Sequence, residues 1–452
     1  MPIISRAMLA VVASLLIAPG ARAESVTEAL AFSYVNNPAI AAALYSVKIA
    51  AEDIALRQAG KRPTIAAGAN LGYSWTVAGG TFTDSGSGSV MLSYNQRLFD
   101  NLQTEAQIDQ ARAMADAASE GLRNSEQNVL LSAATAYFDV VRDTELTSLR
   151  GDNVTFLQAQ VNSAENRLNI GEGTRIDVSQ AEARLAQAVA AYRAAVNSLQ
   201  SSRAAYARWI GHPPTSLNPN FPFNGLLPAS LDEALQAADA NHPANLALRA
   251  QVEAAKFASD AAMRAFGPTL DLVGSISSAF TTSPVVPSPS VSGSIGLSLT
   301  VPLYAGGALG GSARIANLAQ TQTELQAQVT YAQVRESVIA AWSGLQTAIA
   351  LIESAESAVR ASEFALDGVI EERNVGQRTT LDVLNARAEL TSANEALISA
   401  KRNRYVASFA LIAAAGRLSA AELNLPVSIR SANAYRAGVE DNWSEMREVD
   451  DF

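Results

Sequence analysis

The sequence has 452 residues, no cysteine and only two histidines, His212 and His242. Without cysteine there is no disulfide, no thiolate metal site, no thiol nucleophile and no acylated N-terminal cysteine of a lipoprotein. His242 precedes a proline, as Asn37 does elsewhere in the chain, which predicts a structural role at a helix start. No pair of carboxylates stands in a pattern typical of acid–base catalysis, and the glycine-rich run 306–311 lacks the Lys-Ser/Thr ending of a phosphate loop. The sequence therefore predicts no enzyme activity, no cofactor and no metal site.

Positive charge and long apolar runs are also scarce. The net charge of −10 argues against nucleic acid as a partner, because binding it requires a basic surface. The N-terminus combines Arg6, an apolar core over 7–18 and the cleavage pattern Ala21-Arg22-Ala23, which predicts a secretory signal peptide at 1–23. A retained N-terminal anchor is the alternative. No later stretch has the roughly 18 continuous apolar residues of a membrane helix, so we expect an exported chain that is soluble or held in a membrane by strands.

Proline is absent between Thr64 and His212 and again between Leu303 and Leu425. Within these spans apolar residues recur every three or four positions, which is helical, heptad-like spacing. The pattern predicts one helix over about 102–168 and another over about 308–373, each about 100 Å long at 1.5 Å per residue. Helices of this length must pack side by side to bury their apolar stripes.

The chain repeats its own plan at an offset of 205 positions. Prolines, glycines and the motif Asn169-Ile170-Gly171 in the first half match counterparts such as Asn374-Val375-Gly376 in the second. We predict an internal duplication in which each copy has short helices, a strand pair and a long helical hairpin with a glycine tip. The predicted organisation starts with a signal peptide at 1–23. The first repeat covers 24–212, with strands at about 64–77 and 88–99 and its tip at about 169–176, and a linker or equatorial segment follows at 213–229. The second repeat covers 230–416, with strands at about 269–281 and 291–304 and its tip at about 374–381, and an equatorial segment with an acidic tail follows at 417–452.

The predicted strands alternate between apolar residues on one face and small polar residues on the other. This pattern fits a membrane β-barrel with lipid outside and water inside, and a soluble sandwich is the alternative. Aromatic residues near the loop ends, Tyr73, Trp75 and Phe280, are candidates for an interfacial aromatic belt. Four strands cannot close a barrel, and an open edge in lipid leaves backbone groups unpaired at a cost of several kcal/mol each. Several copies must therefore contribute strands, in a multiple of four.

These features together resemble the TolC-like outer-membrane efflux and secretion channel family. The resemblance covers essentially the whole mature chain and includes the run 375–384 at the second tip. It implies a mainly α fold with a membrane β-barrel part, in which duplicated helical hairpins form a trimeric α-barrel continued by a 12-stranded β-barrel, four strands per chain. It implies location in the outer membrane of a Gram-negative cell, with a helical tunnel in the periplasm. The implied partners are two further copies of the chain, outer-membrane lipid, a periplasmic adaptor protein and an inner-membrane pump or ABC exporter.

The resemblance also assigns residues at the tips. Asp177 and Arg378 match a latch that holds the periplasmic entrance shut, and the alternative is a solvated charge on an exposed turn. Asp382 matches an acidic ring that narrows the pore, and Asn385 stands where a second acid can occur. Residues at the tip turns are candidates for adaptor contact, namely Leu168, Ile170, Gly171, Val375, Gly376 and Leu381. The implied function is a passive exit duct with a gated tip, serving a tripartite efflux pump or type I secretion system. The alternative is a periplasmic or surface coiled-coil scaffold or adhesin without a pore.

Overall fold

The computed structural model of the chain describes residues 23–223, 225–282, 289–440, 442–443 and 445. The predicted signal peptide, apart from Ala23, lies outside the described residues. Most of the predicted acidic tail and the stretch 283–288, in the second predicted strand loop, also lie outside them.

Two long helical hairpins form the frame of the molecule. The first is α3 with α4 and the second is α7 with α8, and both α3 and α7 have 67 residues. At 1.5 Å per residue each of these two helices is about 100 Å long. Short helices precede each strand pair, and a last helix lies near the C-terminus. The helices are α1 (Val26–Asn36), α2 (Pro38–Gln58), α3 (Gln103–Asn169), α4 (Arg175–Ile210), α5 (Leu231–Asn241), α6 (Pro243–Arg264), α7 (Ala308–Asn374), α8 (Thr380–Ala414) and α9 (Asn433–Glu440).

Four antiparallel strands form one sheet in the order β1-β2-β3-β4. They are β1 (Thr64–Ala78), β2 (Thr81–Phe99), β3 (Thr269–Thr281) and β4 (Ser290–Thr300). The pairing of β2 with β3 joins the first repeat to the second. Within the chain β1 and β4 each pair on one side only, so the sheet has two open edges.

Two of the predicted strand boundaries were wrong. The predicted loop over 78–88 is a tight turn at Gly79–Gly80, and β2 begins at Thr81 rather than at about 88. The serines and threonines of 81–88 suit a polar strand face as well as a loop, so composition alone misplaced this boundary. The last strand ends at Thr300 rather than at 304. Pro302 follows two residues later and has no N–H to donate to a ladder.

The register places most of the large apolar strand residues on one face of the sheet, and Met91 and Val273 are exceptions on the other face. Ile65 of β1 lies opposite Tyr94 of β2, and across the row come Gly274 of β3 and Ile295 of β4. The next outward rows add Leu92, Ile276 and Val90, while the other face carries mainly serine, threonine and glycine. The apolar face is largely exposed within the single chain.

A cluster of buried aromatic residues joins the hairpins about midway along the molecule. Tyr137 and Phe138 of α3 pack with Tyr206 of α4 and Phe409 of α8, and all four are at most 1% exposed. Side chains of the segments 217–227 and 418–432 pack around this cluster. The sequence interpretation of these short segments as an equatorial belt remains a prediction, but they do cover the core at this level.

One helix among the described residues, α7, includes an 18-residue window that is long and apolar enough to cross a membrane by length and composition. Only 17% of that window is buried inside the chain. Ile315, Leu318, Leu325 and Val329 are exposed on α7 at helical spacing. These side chains form an apolar stripe that no other part of the described single chain covers, as an interior helix face does when its packing partner is missing.

Candidate functional site at the hairpin tips

The two tips have the same backbone construction. Gly171 and Gly376 adopt left-handed conformations with φ of +83° and +82°. In each tip the next residue bonds back across the turn, with Glu172 N donating to Arg167 O and Gln377 N to Glu372 O, both at 2.9 Å. These bonds satisfy carbonyl groups at the helix end, and glycine adopts the required φ without the penalty of a Cβ.

A capping box starts the returning helix at each tip. Thr174 N donates to Asp177 Oδ2 at 3.0 Å while Asp177 N donates to Thr174 Oγ1 at 3.2 Å. Thr379 and Asp382 repeat the arrangement at 2.9 and 3.2 Å. These bonds, led by the backbone N–H of Thr379, hold the pKa of Asp382 below its ordinary value. Both predicted acids are therefore helix-capping residues, and this accounts for their recurrence at matching positions.

The predicted latch residues are not in contact within one chain. Arg378 Nε donates to Glu372 Oε2 of its own tip at 2.7 Å, and both side chains are about half exposed. This hydrogen bond raises the pKa of the Arg378 guanidinium. Among the described residues of the single chain, no ion pair joins Arg378 to Asp177.

Polar contacts join the two hairpins close to the tips. The sequence analysis did not predict them. Arg184 Nη2 of α4 donates to Asn385 Oδ1 of α8 at 3.0 Å. Arg373 Nη1 of α7 donates to Gln160 Oε1 of α3 at 3.0 Å. The predicted constriction residue Asn385 thus contacts the other hairpin of its own chain. Sequence periodicity gave no signal for these partners, because the rotation of each helix about its axis decides which side chains meet.

A second group of contacts between α3 and α8 extends this link away from the tip. Arg150 Nε lies 2.7 Å from Glu395 Oε1. Arg387 stacks over the ring of Phe156 with its guanidinium carbon 4.6 Å from the ring centroid. Burial of this guanidinium lowers the pKa of Arg387. We call the five contacts Gln160–Arg373, Arg184–Asn385, Arg150–Glu395, Phe156–Arg387 and Asn153–Arg387 the hairpin seam.

Apolar side chains are exposed at the turns themselves. Ile170 is 70% exposed, Val375 is 71% exposed and Leu381 is 36% exposed. Leu168 is only partly exposed. Exposed apolar residues grouped at one end of a molecule indicate a contact surface.

The described part of the chain holds no cluster of three or more His, Cys, Asp or Glu residues suited to a metal ion. The tips present turns, charged side chains and exposed apolar residues.

Comparison with known proteins identifies the family. The model of the outer membrane efflux protein family matches residues 33–212 and 234–417, which are most of both repeats. The chain belongs to this family. It is 36% identical over 430 residues to the outer membrane efflux protein BepC of Brucella suis, and the match covers 95% of this chain and 93% of BepC. It is 23% identical over 441 residues to the outer membrane protein TolC of Escherichia coli, covering 93% of this chain and 89% of TolC.

Solved structures show the same fold. The crystal structure of the Campylobacter jejuni CmeC outer membrane channel matches with a TM-score of 0.78 at 15% identity, over 93% of this chain and 90% of that one. The predicted resemblance, the mainly α fold with a membrane β-barrel part, and the outer-membrane location with a periplasmic helical tunnel are confirmed. The protein is an outer-membrane efflux channel subunit rather than an enzyme.

Proposed function

We propose that three copies of this chain form a passive exit duct with a gated periplasmic tip. The observation that carries the proposal is the open sheet, with an apolar face and two unpaired edges. In lipid every backbone polar group needs a partner, so β1 of one copy must pair with β4 of the next until the barrel closes. Family resemblance supports three copies and hence twelve strands. The exposed apolar stripe of α7 is covered in the same assembly by a neighbouring hairpin.

Aromatic and acidic residues on the apolar, outward face of the sheet support the proposed orientation of the duct. Tyr73 and Trp75 lie at the turn end of β1 and are 66% and 65% exposed. Tyr73 Oη donates to Asp84 Oδ2 at 2.8 Å on the same outward face. A carboxylate on the lipid-facing side marks the edge of the hydrocarbon layer, because a charge inside it is costly. Phe280 covers Gly88 near the same level, so the three predicted belt residues lie on the apolar face towards the strand turns.

Gating is assigned to contacts between copies at the tips. Arg378 of one copy and Asp177 of the next form the latch, and each already has a partner within its own chain. Such contacts are strong enough to hold a closed state, yet a partner that offers alternative contacts can break them. Three Asp382 carboxylates around one axis favour cations. A periplasmic adaptor meets the exposed turn residues Ile170 and Val375, and an inner-membrane pump or ABC exporter supplies the substrate.

Conductance of the purified assembly in planar bilayers tests this function. We expect pores from the wild type and higher conductance from Arg378→Ser and Asp177→Ala, because either change removes one side of the latch. Asp177→Ala also removes a helix cap, so Thr174→Val is the matched control that disrupts the cap and keeps the carboxylate. Glu372→Gln is the control for Arg378, because it removes only the partner within the chain.

The outcomes separate the candidate functions. Pores with unchanged conductance in both latch variants would remove the latch and keep the duct. An assembly that is intact in detergent but never conducts would instead favour a scaffold or adhesin without a pore.

A further inference from the structure

The polar face of the sheet is almost free of charge. Serine hydroxyls pair across the strands, with Oγ atoms 3.1 Å apart at Ser74–Ser85 and 3.0 Å apart at Ser275–Ser294. Over the four described strands, Arg97 and Asp271 are the only charged residues at positions of this face. Since the opposite face is apolar and lies against lipid, this face lines the lumen.

Arg97 and Asp271 form an ion pair across the junction of the two repeats. They are register partners on β2 and β3, and Arg97 Nε lies 3.0 Å from Asp271 Oδ1. The arginine side chain is 43% exposed and the aspartate only 16%. The register shifts between Arg97 and Phe99, and an irregularity of this kind re-aims side chains. The pair therefore presents its guanidinium to the lumen with the carboxylate covered behind it.

The pair lies at the inner end of the barrel. Arg97 is two residues before the end of β2, and Asp271 is two residues after the start of β3. The helices α3 and α6 adjoin these strand ends, so the ring of pairs lies where the barrel meets the helical tunnel. In the trimeric duct proposed above, on which this inference rests, the pair recurs three times in one ring.

We propose that this ring is a charge-compensated collar that lets substrates of either sign leave the duct. Three like charges around a water-filled lumen with low-dielectric walls create a potential that attracts ions of opposite sign and repels the others. Pairing each arginine with an aspartate cancels this potential beyond a few ångströms. Arg97 and Asp271 are therefore specificity-determining residues whose balance keeps the exit unselective, whereas Asp382 sets charge preference at the entrance.

Sided block by multivalent ions tests the collar. The probes are hexaamminecobalt(III) and pyrophosphate, each added from the strand-turn side of oriented pores at low ionic strength. From that side they reach the collar without crossing the tip. At about 0.01 M salt the screening length is about 30 Å, so charges on the barrel wall act across the lumen.

Each variant has a distinct expected result. Arg97→Gln leaves three aspartates unpaired, and hexaamminecobalt(III) should block it at least about tenfold more tightly than the wild type. Asp271→Asn should show the same gain for pyrophosphate. The double variant R97Q/D271N is neutral again and should match the wild type with both probes. Asp382→Asn is the control for the entrance, and it should change block from the tip side only.

The proposal is refuted if the single variants conduct normally and are not blocked more tightly by either ion from the strand-turn side. The ion pair would then only stabilise the pairing of β2 with β3. Ser298→Asp covers variants that do not assemble, since it adds a carboxylate at the β4 position that pairs with Asp271 and leaves both Arg97 and Asp271 in the sequence. That variant should gain hexaamminecobalt(III) block, and the absence of block there also refutes the collar. If the wild type itself forms no pores, the proposed duct function has failed instead.

Discussion

Two glycines at equivalent positions of the repeats, Gly211 and Gly416, should respond very differently to the same substitution. Both end a long returning helix in a left-handed conformation, with φ of +113° and +73°. A Cβ at Gly416 would lie 2.6 Å from His242 Cα and 2.8 Å from His242 N. A Cβ at Gly211 would meet only the ring of Phe32, at 3.1 Å.

The contacts set the magnitude of each effect. Alanine in a left-handed conformation costs about 1–2 kcal/mol, and this cost applies to both positions. Phe32 is 41% exposed and its ring can move away, so Gly211→Ala should cost little more than this. At Gly416 the obstacle is backbone at the start of α6, and overpacking of this kind adds about 1–3 kcal/mol. We expect Gly416→Ala to lower the free energy of unfolding by about 2–5 kcal/mol.

Thermal unfolding of the detergent-solubilised assembly, followed by circular dichroism, compares the two variants directly. Gly416→Ala should melt well below Gly211→Ala, and Gly211→Ala should melt slightly below the wild type. Equal melting temperatures for the two variants would refute the reasoning, because the backbone contact at His242 is what distinguishes them.

Two further variants test other contacts. Burial, and secondarily the charge of Arg123, lowers the pKa of His242, whose Nδ1 accepts from Ala244 N at 3.2 Å. The contribution of His242 to the stability of the fold is therefore fully present above the unfolded pKa of about 6.5, and it is lost as the pH falls below that value. His242→Asn, which copies the cap of the first repeat, should lose less stability than the wild type between pH 7.5 and pH 5.5, and an identical loss would contradict this. Arg150→Gln should lower the free energy of unfolding by about 1 kcal/mol, and its effect should be non-additive with that of Glu395→Gln; strict additivity would show that the ion pair contributes nothing.

Much of the fold could be predicted from the sequence pattern, because the internal duplication presents each element twice. The long helices begin and end within one or two residues of the predicted positions. Strand parity was also readable, since a shift of one residue would turn every apolar side chain towards water. The start of β2 at Thr81 was missed because serine and threonine are common both in loops and on a polar strand face.

The site was only partly predictable, because local and non-local contacts leave different signals. The spacing of Thr174 and Asp177 contains the capping box in full, since a capping box needs only residues three positions apart. The contact of Arg184 with Asn385 joins residues 201 positions apart and depends on how two hairpins are rotated against each other. No periodicity in one sequence encodes that rotation.

The two tips share a backbone but differ in their charged residues. The backbone features recur in both tips, and what differs is charge at equal positions: Arg167 corresponds to Glu372, and Gly173 to Arg378. An arginine at position 173 would not fit without rearrangement, because its Cβ would lie 3.0 Å from the backbone nitrogen of Leu168. The tips are therefore not interchangeable, although they share one turn. In the ring proposed above, a latch between Arg378 of one copy and Asp177 of the next would join tips of the two different kinds.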